Sequence, residues 1–143
     1  YTKHNMLFLR AIFLTIPRFI VILVAIIGLN HLDVAPLPDW TLVVASYAVH
    51  FLVTFIFAWW ALRKVFPSWK QVGLVASIFL VFGVGWEVGL YAWMAQATWS
   101  EVLNGFSRES GILFVIYVLA TFAAGALVRD RRVEAASSRA DNV

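Results

Sequence analysis

Four long apolar stretches, separated by short polar segments, account for most of the chain. They are residues 6–29, 40–62, 72–94 and 111–128. Each is close to the roughly 20 residues that a helix needs to cross about 30 Å of hydrocarbon. Proline and charged residues in the connections 31–39 and 63–71 are typical of turns. The pattern therefore predicts an all-α chain with four membrane-spanning helices.

The first stretch allows two interpretations, because Pro17 and Arg18 interrupt it. It is either one kinked crossing helix over residues 6–29, or an interfacial helix up to Ile16 followed by a short span. Only eleven uninterrupted apolar residues, 19–29, remain after the interruption. Eleven residues are too few to cross a bilayer alone, so we favour the continuous helix.

Composition supports a membrane location. Hydrophobic residues make up 62% of the chain and charged residues 13%, whereas soluble domains have roughly half and a quarter. The mean hydropathy is +0.85. There are no cysteines, which excludes disulfides and thiolate metal sites. The net charge is +3, but the distribution of the basic residues indicates membrane orientation, so we expect no nucleic-acid partner.

The basic residues predict how the spans are oriented. Ten of the eleven lysines and arginines fall at or near one side of the predicted spans, and only Arg108 falls on the other. The positive-inside rule then places both termini in the cytoplasm. We expect a multi-pass protein of the cell membrane whose residues 1–128 form an antiparallel four-helix bundle. Residues 129–143 are expected to form a polar, frayed cytoplasmic tail without a catalytic role.

Two ionisable residues lie inside the apolar stretches, His50 in the second and Glu87 in the third. A charged group near the membrane centre costs about 2.5 to 3.5 kcal/mol on insertion scales, so such residues usually face the protein interior and mark functional sites. At a rise of about 1.5 Å per residue, the two lie roughly 15 and 11 Å from the outer end. Arg18 lies roughly 17 Å from the same side if the first helix is continuous. The three residues could then lie at one level, but we favour an Arg18 that snorkels towards headgroups or stabilises a proline-broken helix end over one that pairs with Glu87.

Helical periodicity predicts the neighbours of this pair. Positions three or four residues from His50 and Glu87, and the matching positions on the fourth span, are small or hydroxylated. Such residues allow close approach and hydrogen bonding between membrane helices. The polar residues expected to line the bundle interior are Tyr47, Thr54, Tyr91, Tyr117 and Thr121.

Two further sequence features have local interpretations. Gly85 and Gly89 have the GxxxG spacing, which can mark helix dimerisation, but we favour ordinary close packing here. Thr98 and Glu101 have the spacing of a capping box in the third connection, where we expect a short surface helix.

Function is open to three hypotheses. A four-helix chain has little room for a pathway of its own, so we expect an accessory or assembly subunit of a membrane complex, with the lipid bilayer and other subunits or further copies as partners. The His–Glu pair then only fixes helix register. Alternatively, a homo-oligomer handles protons, cations or a small polar solute. A membrane enzyme acting on a lipid-linked substrate is the third hypothesis, but no catalytic, metal or cofactor motif supports it.

Overall fold

The computed structural model describes residues 2–31, 39–96, 98, 100–101 and 108–140. Four long helices cover most of them: α1 Thr2–His31, α2 Asp39–Leu62, α3 Trp69–Ala95 and α4 Arg108–Ala140. Each contains a stretch long and apolar enough to cross a membrane: Asn5–Leu29, Trp40–Leu62, Trp69–Leu90 and Gly111–Glu134. The predicted all-α class and the four candidate membrane spans are confirmed.

Helix α1 passes through Pro17 without a break. Proline has no backbone N–H, so the intrahelical bond that this residue would donate is missing. Membrane helices tolerate such a position when neighbouring groups compensate. The helix agrees with the continuous interpretation of the first apolar stretch.

Side chains define the two ends of α3. At its start, the Ser68 hydroxyl accepts from the Gln71 backbone N–H at 3.3 Å, and the Gln71 side chain accepts from the Ser68 backbone N–H at 2.9 Å. This reciprocal pair is a capping box, and its S-x-x-Q signature is present in the sequence. At the other end, Gln96 has the left-handed conformation and its N–H bonds to the carbonyl of Ala92.

The connection after α3 contains part of the predicted capping motif. The Thr98 backbone N–H and hydroxyl both donate to the Glu101 carboxylate at 2.7 Å, and these hydrogen bonds lower the pKa of Glu101. The rest of the expected surface helix, residues 102–107 with 97 and 99, lies outside the described residues.

Helix α4 is longer than the sequence predicted. We expected residues after 128 to be frayed, but the helix continues to Ala140. Two of its arginines contact the connection between α2 and α3: Arg129 donates to the Pro67 carbonyl and Arg132 to the Arg63 carbonyl, both at 2.8 Å. These bonds attach the first turns beyond the apolar stretch to the rest of the protein.

The helices pack in the cyclic order α1, α2, α4, α3. The α2–α4 contact is the most extensive, followed by α1–α2, α3–α4 and α1–α3, while α2 and α3 touch less. The apolar core contains residues of the first halves of α1 and α3 and of the second halves of α2 and α4. At the α3–α4 contact, a Cβ added to Gly125 would lie 2.7 Å from a methyl carbon of Val72. A glycine there permits the close approach of the two helices.

Burial is uneven along the helices. Buried residues occur up to Ile22 on α1 and Gly83 on α3, and from His50 on α2 and Tyr117 on α4. Beyond these four positions, towards the opposite end, no side chain in the described part of the helices is buried. The packed core therefore occupies the half of the protein that contains the chain's N-terminal residues. It ends at the level of His50 and Tyr117, which we call its upper boundary.

Candidate functional site

Polar side chains from all four helices meet at this upper boundary of the core. We call the group the polar site: Arg18 of α1, His50 and Thr54 of α2, Glu87 of α3 and Tyr117 of α4. Because each helix contributes at least one member, the site links the whole fold.

Arg18 is completely buried among groups of the other three helices. Its Nη1 donates to the Thr54 hydroxyl at 2.9 Å, and its Nη2 donates to the Phe79 carbonyl at 3.4 Å. The guanidinium carbon lies 4.4 Å from the centre of the Tyr117 ring, within the distance of a cation–π interaction. Its Nε finds no hydrogen-bond partner among the described residues.

A glycine on α3 makes room for this arginine. A Cβ added to Gly83 would lie 2.2 Å from Nη2 of Arg18 and 3.3 Å from both its guanidinium carbon and Cε2 of Tyr117. The absence of a side chain at position 83 is therefore a condition of the arginine's placement.

Arg18 neither snorkels towards the headgroups nor pairs with Glu87, two arrangements considered from the sequence. It does not extend to the headgroups, because its side chain is buried. Nor does its guanidinium lie within 4 Å of the Glu87 carboxylate, since the one such acid–base contact in the described part of the chain joins His50 and Glu87. Tyr117 lies between the two charged groups, contacting Arg18 through its ring and Glu87 through its hydroxyl.

Hydrogen bonding fixes the orientation of His50. Its Nδ1 lies 2.8 Å from the Ser46 carbonyl, which can only accept, so Nδ1 carries a proton. The other ring nitrogen, Nε2, lies 3.8 Å from Oε1 of Glu87. In a neutral imidazole this Nε2 carries a lone pair, which a carboxylate oxygen would repel. A proton on either His50 or Glu87 turns the contact into an attraction.

The same carboxylate oxygen has a second partner. The Tyr117 hydroxyl donates to Oε1 of Glu87, so this oxygen faces both a phenol and an imidazole. The His50 and Tyr117 rings also lie side by side, with centres 5.9 Å apart. A carboxylate, an imidazole and a phenol arranged in this way can exchange protons.

One edge of the polar site is accessible. The Glu87 side chain is 31% exposed, whereas that of His50 is 5% exposed. This partly exposed side chain lies next to the less packed half of the helices.

Two residues predicted to line the interior, Thr121 and Tyr47, are not members of the polar site, and the side chain of a third is not described. Thr121 is buried, but its hydroxyl donates to the carbonyl of Tyr117 at 2.8 Å on its own helix. Tyr47 is partly buried and makes no hydrogen bond within the described part of the chain. The side chain of Tyr91 lies outside the described residues.

Sequence reasoning did not identify the backbone groups that complete the site, the carbonyls of Ser46 and Phe79. Gly83, four residues before Glu87, is one of the small positions that periodicity places on the interior face, but periodicity assigns it no specific role. No group of three or more potential metal ligands occurs in the part of the chain searched. Comparison with protein-family models, with curated proteins and with solved structures finds no match to the chain.

Proposed function

We propose that the chain is an accessory or assembly subunit of a membrane complex, and that its helices form an antiparallel bundle with both termini in the cytoplasm. The orientation is supported by Arg10, Arg63, Lys64 and Arg132, which lie at the same end of the helices and satisfy the positive-inside rule if that end is cytoplasmic.

The observation that carries the proposal is an uncovered face of α3. We call Val81, Phe82, Gly85 and Gly89 the open face; all four residues are exposed. A Cβ added to either glycine would have no atom within 4 Å, so these glycines do not serve close packing between the described helices. Small residues four positions apart let a second transmembrane helix approach closely.

The polar site supports the same function in a different way. Its members bond to one another and to backbone carbonyls of their own chain. Buried polar groups arranged like this restrict which helices pair and in which register. The subunit would thus keep its own fold while α3 contacts another membrane protein or a second copy.

Site-specific cross-linking tests the proposal, because a chain without cysteines allows a single reactive position. Gly89→Cys, labelled with a cysteine-directed photo-cross-linker in native membranes, should give a discrete product. A second copy would double the mass of 16.1 kDa, and another subunit would add its own mass. Gly28→Cys on α1 is the matched control, since a Cβ there also meets nothing. Equal products from both positions, or none from position 89, would refute the proposal.

The accessible carboxylate favours a second candidate, the handling of protons or a small cation by the polar site. A partly exposed Glu87 beside the Nε2 of His50 can take up a proton from one side and share it with the buried groups. Reconstituted in liposomes, the protein should then carry a pH-dependent flux that Glu87→Gln abolishes. Tyr47→Phe, at a position outside the polar site, should leave that flux unchanged. A flux that persists in Glu87→Gln, or no flux in the wild type, would exclude this candidate.

A further inference from the structure

A cavity lies at the basic end of the helices, the end away from the less packed half. Its volume is about 1000 Å³, and α1, α2, α3, α4 and the α2–α3 connection all contribute to its wall. We call it the basic cavity, because its wall contains Arg10, Arg63, Lys64 and Arg132 and no acidic residue. At this size it could hold a ligand larger than a simple ion.

The four cations of the basic cavity are not neutralised within the described part of the protein. Among the described residues, the one carboxylate within 4 Å of a basic side chain is Glu87, next to His50 and far from this end, so none of the four has such a partner there. Arg10 and Arg63 are close enough to repel each other. Two of the four also have fixed positions: Arg63 lies over the rings of Trp59 and Trp60, and Arg132 donates to the Arg63 carbonyl. Cations held together in this way attract an anion.

The rest of the wall is apolar and continues into the membrane-spanning region. Leu7 and Ala61 are buried at its base, while Leu9 and Trp60 are exposed along its side. Leu14 is one helical turn beyond Arg10, further from the basic end. An occupant that matches both parts of the wall must have a negative headgroup and an apolar tail.

We propose that the basic cavity binds an anionic phospholipid, with its phosphate among Arg10, Arg63, Lys64 and Arg132 and an acyl chain against the apolar wall. Basic cavities between transmembrane helices on the cytoplasmic side are typical of such headgroup sites. Free phosphate has the same headgroup chemistry, but it leaves the apolar wall exposed. The proposal is independent of the function assigned to the polar site.

Lipid binding to the purified full-length protein tests the proposal. The protein would be placed in neutral detergent and titrated with phosphatidylglycerol, phosphatidylcholine or inorganic phosphate, and bound lipid would be counted by native mass spectrometry. We expect phosphatidylglycerol to bind at least tenfold more tightly than phosphatidylcholine. Inorganic phosphate should not displace it at equal concentration. Equal binding of the two lipids, or displacement by phosphate alone, would overturn the phospholipid assignment.

Charge-matched double variants separate a defined site from a diffuse basic surface. Arg10→Gln with Lys64→Gln removes two cations of the basic cavity that make no hydrogen bond within the described part of the chain. One interfacial cation corresponds to about a fivefold change in lipid affinity, so this pair should weaken phosphatidylglycerol binding about 25-fold. Lys70→Gln with Arg131→Gln removes the same charge outside the cavity wall and should change affinity less than about twofold.

A further variant distinguishes the loss of charge from misfolding of the Arg10→Gln, Lys64→Gln double variant. Arg10→Lys keeps the positive charge and should retain tight phosphatidylglycerol binding, with the particle remaining monodisperse on gel filtration. If the two double variants lose affinity equally, the cations act as a diffuse surface and the proposal is wrong. Loss of binding in Arg10→Lys to the level of Arg10→Gln alone would also contradict it, because charge would then not be the determinant.

Discussion

Replacing Gly83 by alanine tests the geometry of the polar site with a single methyl group. The new Cβ would lie 2.2 Å from Nη2 of Arg18, a distance at which one group must move. Backbone atoms of α3 are fixed by the helix, so the guanidinium must give way. Its bond to the Phe79 carbonyl and its contact with the Tyr117 ring are the interactions that this movement breaks.

The expected magnitude follows from three contributions. Overpacking a filled interior costs about 1 to 3 kcal/mol. Losing a hydrogen bond from a charged group costs about 1.5 to 3 kcal/mol. The higher helix propensity of alanine offsets about 1 kcal/mol of this loss. Gly83→Ala should therefore reduce the free energy of unfolding by about 1.5 to 5 kcal/mol.

The assay is reversible unfolding in mixed micelles, followed by tryptophan fluorescence. Gly85→Ala is the matched control, because a Cβ at Gly85 meets no atom within 4 Å and only the gain in helix propensity remains. In an Arg18→Met background, the Gly83→Ala loss should shrink by more than about 1 kcal/mol, since the clashing group is gone. Equal stabilities of the two alanine variants, or an unchanged loss in the Arg18→Met background, would refute the placement of the arginine.

Three other substitutions test separate contacts in the same unfolding assay. Gly125→Ala should cost about 1 to 3 kcal/mol through its clash with the methyl groups of Val72, and Val72→Ala should relieve the clash. Tyr117→Phe should cost about 1.5 to 3 kcal/mol, because the Glu87 carboxylate loses the hydrogen bond that the Tyr117 hydroxyl donates. Ser68→Ala should cost about 1 kcal/mol by removing the N-cap of α3.

Each of these substitutions has a matched control in the same chain. Gly111→Ala introduces a methyl group where nothing lies within 4 Å, Tyr47→Phe removes a hydroxyl outside the polar site, and Ser77→Ala removes an exposed serine hydroxyl that bonds to the Gly73 carbonyl of its own helix. Each test variant should be less stable than its control. A pair of equal stability would show that the contact in question contributes nothing measurable.

The four apolar helices were predictable because span length and hydropathy are local properties of the sequence. The C-terminal end of α4 was not: the helix continues to Ala140, and Arg129 and Arg132 at the start of this extension bond to carbonyls of a distant connection. Composition alone favoured a frayed tail there. Contacts between residues more than 60 positions apart leave no local signal.

The level of the polar residues could also be derived from the sequence, by counting helical rise from the span ends. Which helices lie side by side could not, and this decided the partners of Arg18. The cyclic order α1, α2, α4, α3 brings Tyr117 between Arg18 and Glu87, so the arginine contacts a ring and a hydroxyl instead of a carboxylate. Likewise, Gly83 and Gly85 differ by two positions, but one faces Arg18 and the other faces outward.

The central claim, that this protein is a subunit that contacts a membrane partner through the open face of α3, is tested most directly by the mass of its native particle in nanodiscs. We expect the wild-type particle to exceed the 16.1 kDa of one chain, and Gly85→Leu with Gly89→Leu to reduce it to a single folded chain. Gly28→Leu should leave the larger particle intact. A wild-type particle of one chain, or a large particle that survives leucine at both positions, would refute the subunit proposal.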